Sequence, residues 1–560
     1  MKTTRGRVVI ALAALWSLAF LVRLAFLRSS PGATGSHSPW LVGDARVFLE
    51  HAQARLANAF DVVDLGLPLR PPGTAWLLAC FWDGSASGLA SARLGFAAIG
   101  AAVAPLSFLF ALPLGRAVAW FAGIGVALAF PLIVLSSTFT AETPYLALSL
   151  LSLLLARGLH TKVTWTRSLS LGVLTGITAL VRAEHLLLAA LVCAWIIWRH
   201  RRSMRVALPF AGWFALGAVI TLLPWQLEAA RRIQSFQRSE NPPCPPRRLD
   251  WTAAAVEQLS TVPGFARAAT QRFVEVTLEH RGHSKVDRPD LDVVTEAFGW
   301  WPEPLPGFVP VALYGPLNFA LANAGEGSAG FSRARLDREP QLLGGREQYS
   351  PNWLRALPTD GQLSLAYPPH LYLLEHGYRD GLAEIASEPG RALGRGFAKL
   401  AIALRGATGG FGSANLPLGS SGLRRSVDLA APDGWPAICW SALWVLLAAV
   451  GYVQHRRSAE AQLLGLVFVS LAAVTVAFFG YARLGAIAQP GILLLAALAL
   501  RDRIHGKRLG VAFAAIAVLL LAQEVRRMVR PPVVTFDGIE FAVLEAEDGI
   551  VQREHRLDVR

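Results

Sequence analysis

Acidic, basic and histidine side chains cluster in the stretch 42–72, which follows the first long apolar run of the chain. Asp44 comes directly after a glycine, and apolar residues follow it at four-residue spacing, so we predict an amphipathic helix that begins at Asp44 and lies along the membrane interface. His51 shares a face of this helix with Asp44. The stretch ends at Arg70 and two prolines, which enforce an extended chain. A carboxylate and a cation are therefore predicted to lie together at the edge of the membrane.

Further ionisable side chains lie in the short loops between later apolar runs. Charged groups at membrane depth are costly, so a cluster of them indicates a functional site by default. In general a carboxylate serves as a proton acceptor, and a guanidinium matches the oxygens of a phosphate. The candidates in these loops are Glu142, Arg182, Glu184 and Arg483.

Each candidate also has a purely structural interpretation. Asp44 and Glu142 stand where a carboxylate caps the start of a helix. Arg46 is spaced to pair with a glutamate one turn later, and packing at the interface is the simpler role for the histidine of the same helix. Arg182 and Arg483 stand where cations reach lipid head groups.

The composition identifies the chain as an integral membrane protein. It has 560 residues, of which 53% are hydrophobic and 16% charged, with a mean hydropathy of +0.41, far more apolar than a soluble protein of this length. The net charge of +14 comes from arginines in short loops between apolar runs, which indicates membrane orientation and no nucleic-acid partner. The four cysteines lie mostly in or beside apolar runs, so no disulfide framework is expected.

The apolar runs predict about eleven transmembrane helices, a number set by the length that crosses a bilayer. Basic residues fill the loops at 199–205 and 501–508, so the N-terminus and these loops are predicted to be cytoplasmic, and the long polar stretch extracytoplasmic. The predicted spans are Val8–Leu27, Leu89–Leu114, Ala117–Leu135, Tyr145–Ala156, Ser168–Val181, Leu186–Trp198, Val206–Leu227, Trp435–Val453, Leu463–Gly480, Leu484–Leu500 and Leu509–Val529.

These runs divide the chain into four parts. The fold class is an α-helical polytopic membrane protein with an inserted, mostly helical extracytoplasmic domain. The predicted parts are a first transmembrane bundle at 1–227 with its outer loop at 28–87, the extracytoplasmic domain at 228–434, further transmembrane helices at 435–530, and a polar tail at 531–560 with a strand-like run at Val533–Val543.

Several familiar signatures are absent from the sequence. It contains no Walker loop, no dinucleotide-binding glycine fingerprint, no HExxH, no GxSxG and no paired CxxC motif. Pumping driven by nucleotide hydrolysis therefore has no support.

A succession of motifs resembles the polytopic glycosyltransferases of the GT-C fold, closest to the branch (glycosyltransferase family 39-like) of protein O-mannosyltransferases and lipid A aminoarabinose transferases. The first motifs are GDARVFLEHAQARL and, ending the outer loop, RPPGTAWLLA. SSTFTAETPYLALSLLSLLLA, GVLTGITALVRAEHLLL and YARLGAIAQPGILLLAALAL follow in the order expected of that family. The chain departs from the family pattern in having Arg70 in place of the commoner lysine, a lone Asp44 in place of an acidic pair, and Tyr-Ala-Arg in place of Arg-Tyr at the start of the last motif.

The resemblance implies transfer of a sugar from a polyprenyl-phosphate donor to an extracytoplasmic protein, lipid or glycan. It implies Asp44 as general base and Arg70, Arg182 and Arg483 as ligands of the donor phosphate, with inversion at the anomeric carbon. Glu142 is expected to orient the acceptor, to support the base, or to share a divalent metal with it. The supporting candidates are Arg46, His51 and Glu184, no cofactor is certain, and the expected location is the inner (plasma) membrane.

Two other classes stay open. A flippase or secondary transporter of a lipid-linked substrate also needs charges in a membrane cavity, but such proteins usually show a two-fold internal repeat, and none is visible here. A structural assembly protein of the cell envelope would use the polar domain as its binding surface, and it would leave the acids of the loops unexplained.

Overall fold

The structure is a computed structural model that describes residues 2–29, 44–58, 67–85, 88–238, 244–298, 301–302, 305, 307, 309–324, 368–408, 427–428, 434–480, 482–503, 533–536, 539–546 and 549–553. The chain forms two compact units. The first consists of Met1–Phe60, Pro71–Leu222 and Phe397–Arg560, and the second of Asp61–Arg70 and Leu223–Gly396. The domain boundaries predicted at 227/228 and 434/435 stay predictions.

The first unit is built mainly from apolar helices. Its N-terminal helices are α1 (Lys2–Ser29), α2 (Asp44–Leu56), α3 (Gly73–Ala79), α4 (Gly88–Ala111), α5 (Arg116–Leu128), α6 (Phe130–Leu135), α7 (Glu142–Thr161), α8 (Trp165–Val181), α9 (His185–Arg199) and the first part of α10 (Met204–Arg238). Four stretches of the described residues are long and apolar enough to cross a membrane, namely Gly6–Arg28, Gly88–Leu114, Met204–Arg238 and Ala459–Ala477. The predicted helical membrane architecture is confirmed, and the count of eleven stays a prediction because the last predicted span lies outside the described residues.

The second unit has its own hydrophobic core, made from short elements. These are β1 (Asp250–Trp251), α11 (Ala253–Ser260), α12 (Gly264–His280), β2 (Lys285–Val286), α13 (Asp292–Phe298), α14 (Tyr314–Asn323), α15 (Pro368–Ser387) and the start of α16 (Pro389–Thr408). Val274, Val286 and Val294 are fully buried in this core. Glu275 is also fully buried, and it accepts hydrogen bonds from the backbone of Arg248 and the indole of Trp251.

The remaining elements belong to the first unit, namely β3 (Val427–Asp428), α17 (Gly434–His455), α18 (Ala459–Ala477), α19 (Ala482–Ala486), α20 (Gln489–Arg503), β4 (Val533–Phe536), β5 (Ile539–Ala546) and β6 (Gly549–Arg553). β3 to β6 form one sheet in sequence order, in which β3 and β4 are parallel and the other pairs antiparallel. The strand-like run predicted at Val533–Val543 lies in β4 and the first part of β5, and the chain reverses direction between Phe536 and Ile539 and pairs with itself.

The third predicted span, Ala117–Leu135, contains two helices rather than one. The chain breaks at Ala129 between α5 and α6, since Pro131 has no N–H to donate to the carbonyl of Ala127. Arg23 of α1 replaces the missing donor: its guanidinium lies 3.3 Å from Ala127 O and 3.5 Å from Leu132 O. A cation of the first span therefore satisfies the backbone of the broken third span.

Arg157 of α7 likewise donates to backbone carbonyls at the end of α4. Pro113 cannot donate to the carbonyl of Leu109. The Arg157 guanidinium donates instead to Leu109 O at 3.1 Å and to Phe110 O at 2.9 Å. Both arginines are therefore explained by carbonyl groups that prolines leave without a helical partner.

The predicted span Leu484–Leu500 is likewise split, into α19 and α20. Two glycines let the backbone of α16 lie directly against the segment that includes α19. A methyl group at Gly480 would collide with Lys399, and one at Gly485 with the carbonyl of Ala403. The short α19 is thus held against a neighbouring helix by close backbone packing.

Candidate functional site

α2 begins at Asp44 and carries it at the edge of the first unit. The apolar residues Ala45, Phe48 and Ala52 of this helix are buried. The guanidinium of Arg55 lies over the ring of Trp76 on α3, 5.1 Å from its centroid. Packing of one face therefore fixes the helix, while the side chain of Asp44 stays 30% exposed.

Glu142 is the first residue of α7 and is almost completely buried, with 4% of its side chain exposed. The segment before it carries hydroxyl side chains that turn back onto the end of α6. Ser137 donates to Ile133 O at 2.9 Å, and Thr138 donates to Leu135 O at 3.1 Å. These bonds satisfy buried polar groups and place a carboxylate where an unpaired charge would be very costly.

Arg182 and Glu184 lie in the turn between α8 and α9. The end of α8 is packed against the start of α3, where a side chain on Gly73 would strike the backbone of Leu180 and Val181. The glycine that follows the two prolines of the sequence motif therefore allows α3 to approach this turn.

Five charged side chains from separate parts of the sequence join in one chain of ion pairs. Arg483 Nη2 lies 2.5 Å from Asp44 Oδ2, and Arg483 Nε lies 3.7 Å from Glu142 Oε1. Arg182 Nη1 lies 2.7 Å from the same Glu142 oxygen, and Arg182 Nη2 lies 2.8 Å from Glu184 Oε1. Acid and base alternate along this ion-pair chain, which connects residues that are up to 439 positions apart.

The electrostatics of the turn between α8 and α9 favour the charged forms of Arg182 and Glu184. Burial opposes the charge of Arg182, but the carboxylates of Glu184 and Glu142 raise the pKa of its guanidinium. Burial likewise disfavours ionised Glu184, and the attraction of Arg182 outweighs it and lowers the pKa of the Glu184 carboxyl. The ring of Tyr145 also faces Arg182, with 5.7 Å between the guanidinium carbon and the ring centroid. Arg182 is thus a permanent cation inside the site.

Three further predicted residues lie in other parts of the sequence. Arg70 belongs to the second unit, where it lies over the ring of Tyr314 at 5.2 Å from the centroid. His51 is half-buried on α2. The backbone of Arg46 is helical, and its side chain lies outside the description. The assigned roles of all these residues stay predictions.

Three buried cations were not among the candidates. Arg23 and Arg93 lie inside apolar helices, and Lys399 of α16 donates to Val476 O at 3.1 Å. A search of the loops alone overlooks them. The signal that could have found Arg23 and Arg93 is the presence of an arginine within an apolar run.

The guanidinium of Arg483 lies between the carboxylates of Asp44 and Glu142. In the part of the chain that the structure describes, no group of three histidine, cysteine, aspartate or glutamate residues gathers as metal ligands do. A divalent ion held by both Asp44 and Glu142 would take the place that Arg483 occupies, so these residues do not fit a metal in this arrangement.

No family model and no curated protein matches the chain. Several solved structures match it. A crystal structure of the Archaeoglobus fulgidus oligosaccharyltransferase in complex with Zn and sulfate matches 91% of this chain at 12% identity and a TM-score of 0.39. This chain spans only 53% of the length of that protein.

ArnT from Cupriavidus metallidurans matches in its apo state, with 94% of this chain and 78% of that one covered, at 14% identity and a TM-score of 0.32. The same protein bound to undecaprenyl phosphate matches over 88% and 77%, at 15% identity and a TM-score of 0.31. These names describe those proteins.

Proposed function

We propose that this chain is a membrane glycosyltransferase that moves a sugar from a polyprenyl-phosphate donor to a hydroxyl group of an extracytoplasmic acceptor. The observation that carries the proposal is the ion-pair chain, which joins a partly exposed carboxylate to two guanidinium groups that are 16% and 13% exposed. Transfer from a lipid phosphate requires a proton acceptor for the incoming hydroxyl and cations for the leaving phosphate. The five residues supply both at one place.

In this mechanism Asp44 takes the proton of the acceptor hydroxyl as the oxygen attacks the anomeric carbon. The bond between the anomeric carbon and the phosphate oxygen breaks, and the electron pair leaves with the lipid phosphate. A single displacement inverts the anomeric centre. Of the two carboxylates that contact Arg483, Asp44 is the one that can meet an acceptor, since its side chain is 30% exposed whereas that of Glu142 is 4% exposed.

Arg483 and Arg182 balance the charge of the leaving phosphate. Arg483 uses two different nitrogens for its two carboxylates, so its guanidinium can exchange one of them for a phosphate oxygen and keep the other. Glu142 holds both arginines by one oxygen and positions them without touching the substrate. Arg70 is proposed as a third phosphate ligand, through the family resemblance alone.

Removal of the Asp44 carboxylate tests this function. A strain that lacks the protein should lose one sugar from its envelope glycans, lipids or proteins by mass spectrometry, and wild-type protein should restore it. Asp44→Asn should insert into the membrane normally and restore transfer about a hundred- to ten-thousand-fold more slowly, the usual cost of losing a general base. Near wild-type transfer by this variant would exclude Asp44 as the base.

The transporter alternative makes a different prediction in the same strain. A flippase would leave the transfer chemistry to another enzyme, so purified protein in nanodiscs would release no polyprenyl phosphate from a glycosylated donor. Release that depends on Asp44 would exclude it.

A further inference from the structure

Arg93 on α4 is a buried cation whose charge no protein group balances among the described residues. Only 2% of the residue is exposed. In the part of the chain that the structure describes, none of its three guanidinium nitrogens has a hydrogen-bond partner. A buried group of this kind costs a large free energy unless something pairs with it.

The other arginines inside the first unit show what a purely structural role looks like. Arg23 and Arg157 both donate to backbone carbonyls that prolines leave without a helical donor. Arg93 makes no such bond, although it carries the same five N–H donors. Its burial therefore has no structural explanation of the kind that accounts for the other two.

Arg93 lies in the wall that α4 shares with the elements of the candidate site. Its guanidinium carbon is 6.0 Å from the ring centroid of Phe139, which precedes Glu142 by three residues. Phe139 in turn belongs to one buried cluster with Ala45, the residue that follows Asp44, and with Phe96 of α4. The same cluster therefore connects the surroundings of Arg93 to the starts of α2 and α7.

We propose that Arg93 binds a phosphate group beside the ion-pair chain. A guanidinium presents its donors as a planar fork that matches phosphate oxygens and stays charged in apolar surroundings. The phosphate comes either from the polyprenyl carrier or from a soluble anion. The inference rests on the proposed function, because that function brings a phosphate to this part of the molecule.

The test compares three probes on the full-length protein in nanodiscs: undecaprenyl phosphate, undecaprenol as its uncharged counterpart, and inorganic phosphate. Wild-type protein should bind undecaprenyl phosphate more tightly than undecaprenol. Arg93→Met keeps the length and apolar stem of the side chain and removes its charge. It should bind undecaprenyl phosphate about ten- to a hundredfold more weakly, the effect of one charge-assisted contact, and bind undecaprenol as wild type does.

Stability separates binding from folding. Because Arg93→Met removes a buried charge that has no hydrogen-bond partner among the described residues, the variant without ligand should unfold at the same or a higher temperature than wild type. Arg157→Met is the matched control: it removes bonds to two carbonyls, so it should unfold earlier and keep its affinity for undecaprenyl phosphate. Arg93→Lys, which keeps the charge without the fork, should have an intermediate affinity, and it provides the comparison if the methionine variant does not fold.

The outcomes are distinct. Weaker binding of undecaprenyl phosphate by Arg93→Met, with or without weaker binding of inorganic phosphate, supports the lipid carrier as the source. Weaker binding of inorganic phosphate alone supports a soluble phosphate. Unchanged binding of both overturns the inference and leaves the proposed function intact. Wild-type protein that binds undecaprenyl phosphate no better than undecaprenol, and does not bind inorganic phosphate, overturns both.

Discussion

Replacing Arg483 by lysine keeps the positive charge of the site but removes the guanidinium fork, whose separate nitrogens contact two carboxylates. Arg483 reaches Asp44 with Nη2 at 2.5 Å, and its Nε lies 3.7 Å from Glu142. A lysine has one nitrogen, so it can serve one of these carboxylates or a phosphate, but it cannot connect them in the same way. The variant should therefore lose one charge-assisted contact.

The size of the effect follows from the burial of the pair. With 16% of the Arg483 side chain exposed, solvent screens the contact little, and its loss should cost about 1.5–3 kcal/mol. Affinity for undecaprenyl phosphate, measured by titration in nanodiscs, should then fall by about tenfold to more than a hundredfold. Arg483→Gln, which also removes the charge, should bind still more weakly.

Arg157→Lys is the matched control for this comparison. Arg157 donates to Leu109 O and Phe110 O and has no part in the proposed phosphate site. The affinity of this variant for undecaprenyl phosphate should therefore match that of wild type. Wild-type affinity in Arg483→Lys, or equal losses in both variants, would refute the argument that the fork of Arg483 connects base and phosphate.

Three further predictions concern stability, pH and topology. Glu142→Gln should lower the free energy of unfolding in detergent by about 1.5–3 kcal/mol rather than 3–5, because Arg182 keeps Glu184 as a partner; a larger loss would mean that Glu142 alone holds the arginine. Because the pKa of the Glu184 carboxyl is lowered, its ion pair with Arg182 stabilises the fold above the ordinary carboxyl value near 4.5. This stabilisation is lost as the pH falls below that value. Wild type should therefore lose more stability than Glu184→Gln between about pH 5 and pH 3, and parallel thermal unfolding profiles would contradict this. In a cysteine-free background, Ser260→Cys should react with an impermeant thiol reagent added outside the cell and Ser203→Cys should not; the reverse pattern would invert the predicted orientation.

The sequence was sufficient to locate most helices, because apolar length and periodicity are local properties. α8 and α9 differ from the predicted spans Ser168–Val181 and Leu186–Trp198 by only a few residues at their ends. The predicted spans that are divided into two helices are interrupted at local features that a hydropathy average hides. Pro131 removes one helical hydrogen bond within an unbroken apolar run, and the consequence depends on a donor from a different helix.

The candidate site shows the same limit. Asp44, Glu142, Arg182 and Arg483 were selected because they stand at the ends of apolar runs, and the structure brings them together. Their pairing order could not be predicted, since it depends on tertiary contacts such as the packing of α16 against α19. Arg93 lies inside an apolar run rather than at its end, and an average over the run conceals a single charge within it.

The contact of Arg23 with the broken third span has a consequence for how the protein is assembled. When α1 enters the bilayer during synthesis, Arg23 has its intrahelical bond to Ala19 O, but its bonds to Ser136, Ala127 and Leu132 cannot yet exist. The exposed charge is costly in lipid until α5 and α6 arrive about a hundred residues later. The carbonyl of Ala127 in turn lacks a helical donor until Arg23 reaches it. Arg23 and the broken third segment each have polar groups that are unsatisfied in lipid until they meet. The first three apolar segments should therefore reach their final positions together, after the third has left the ribosome.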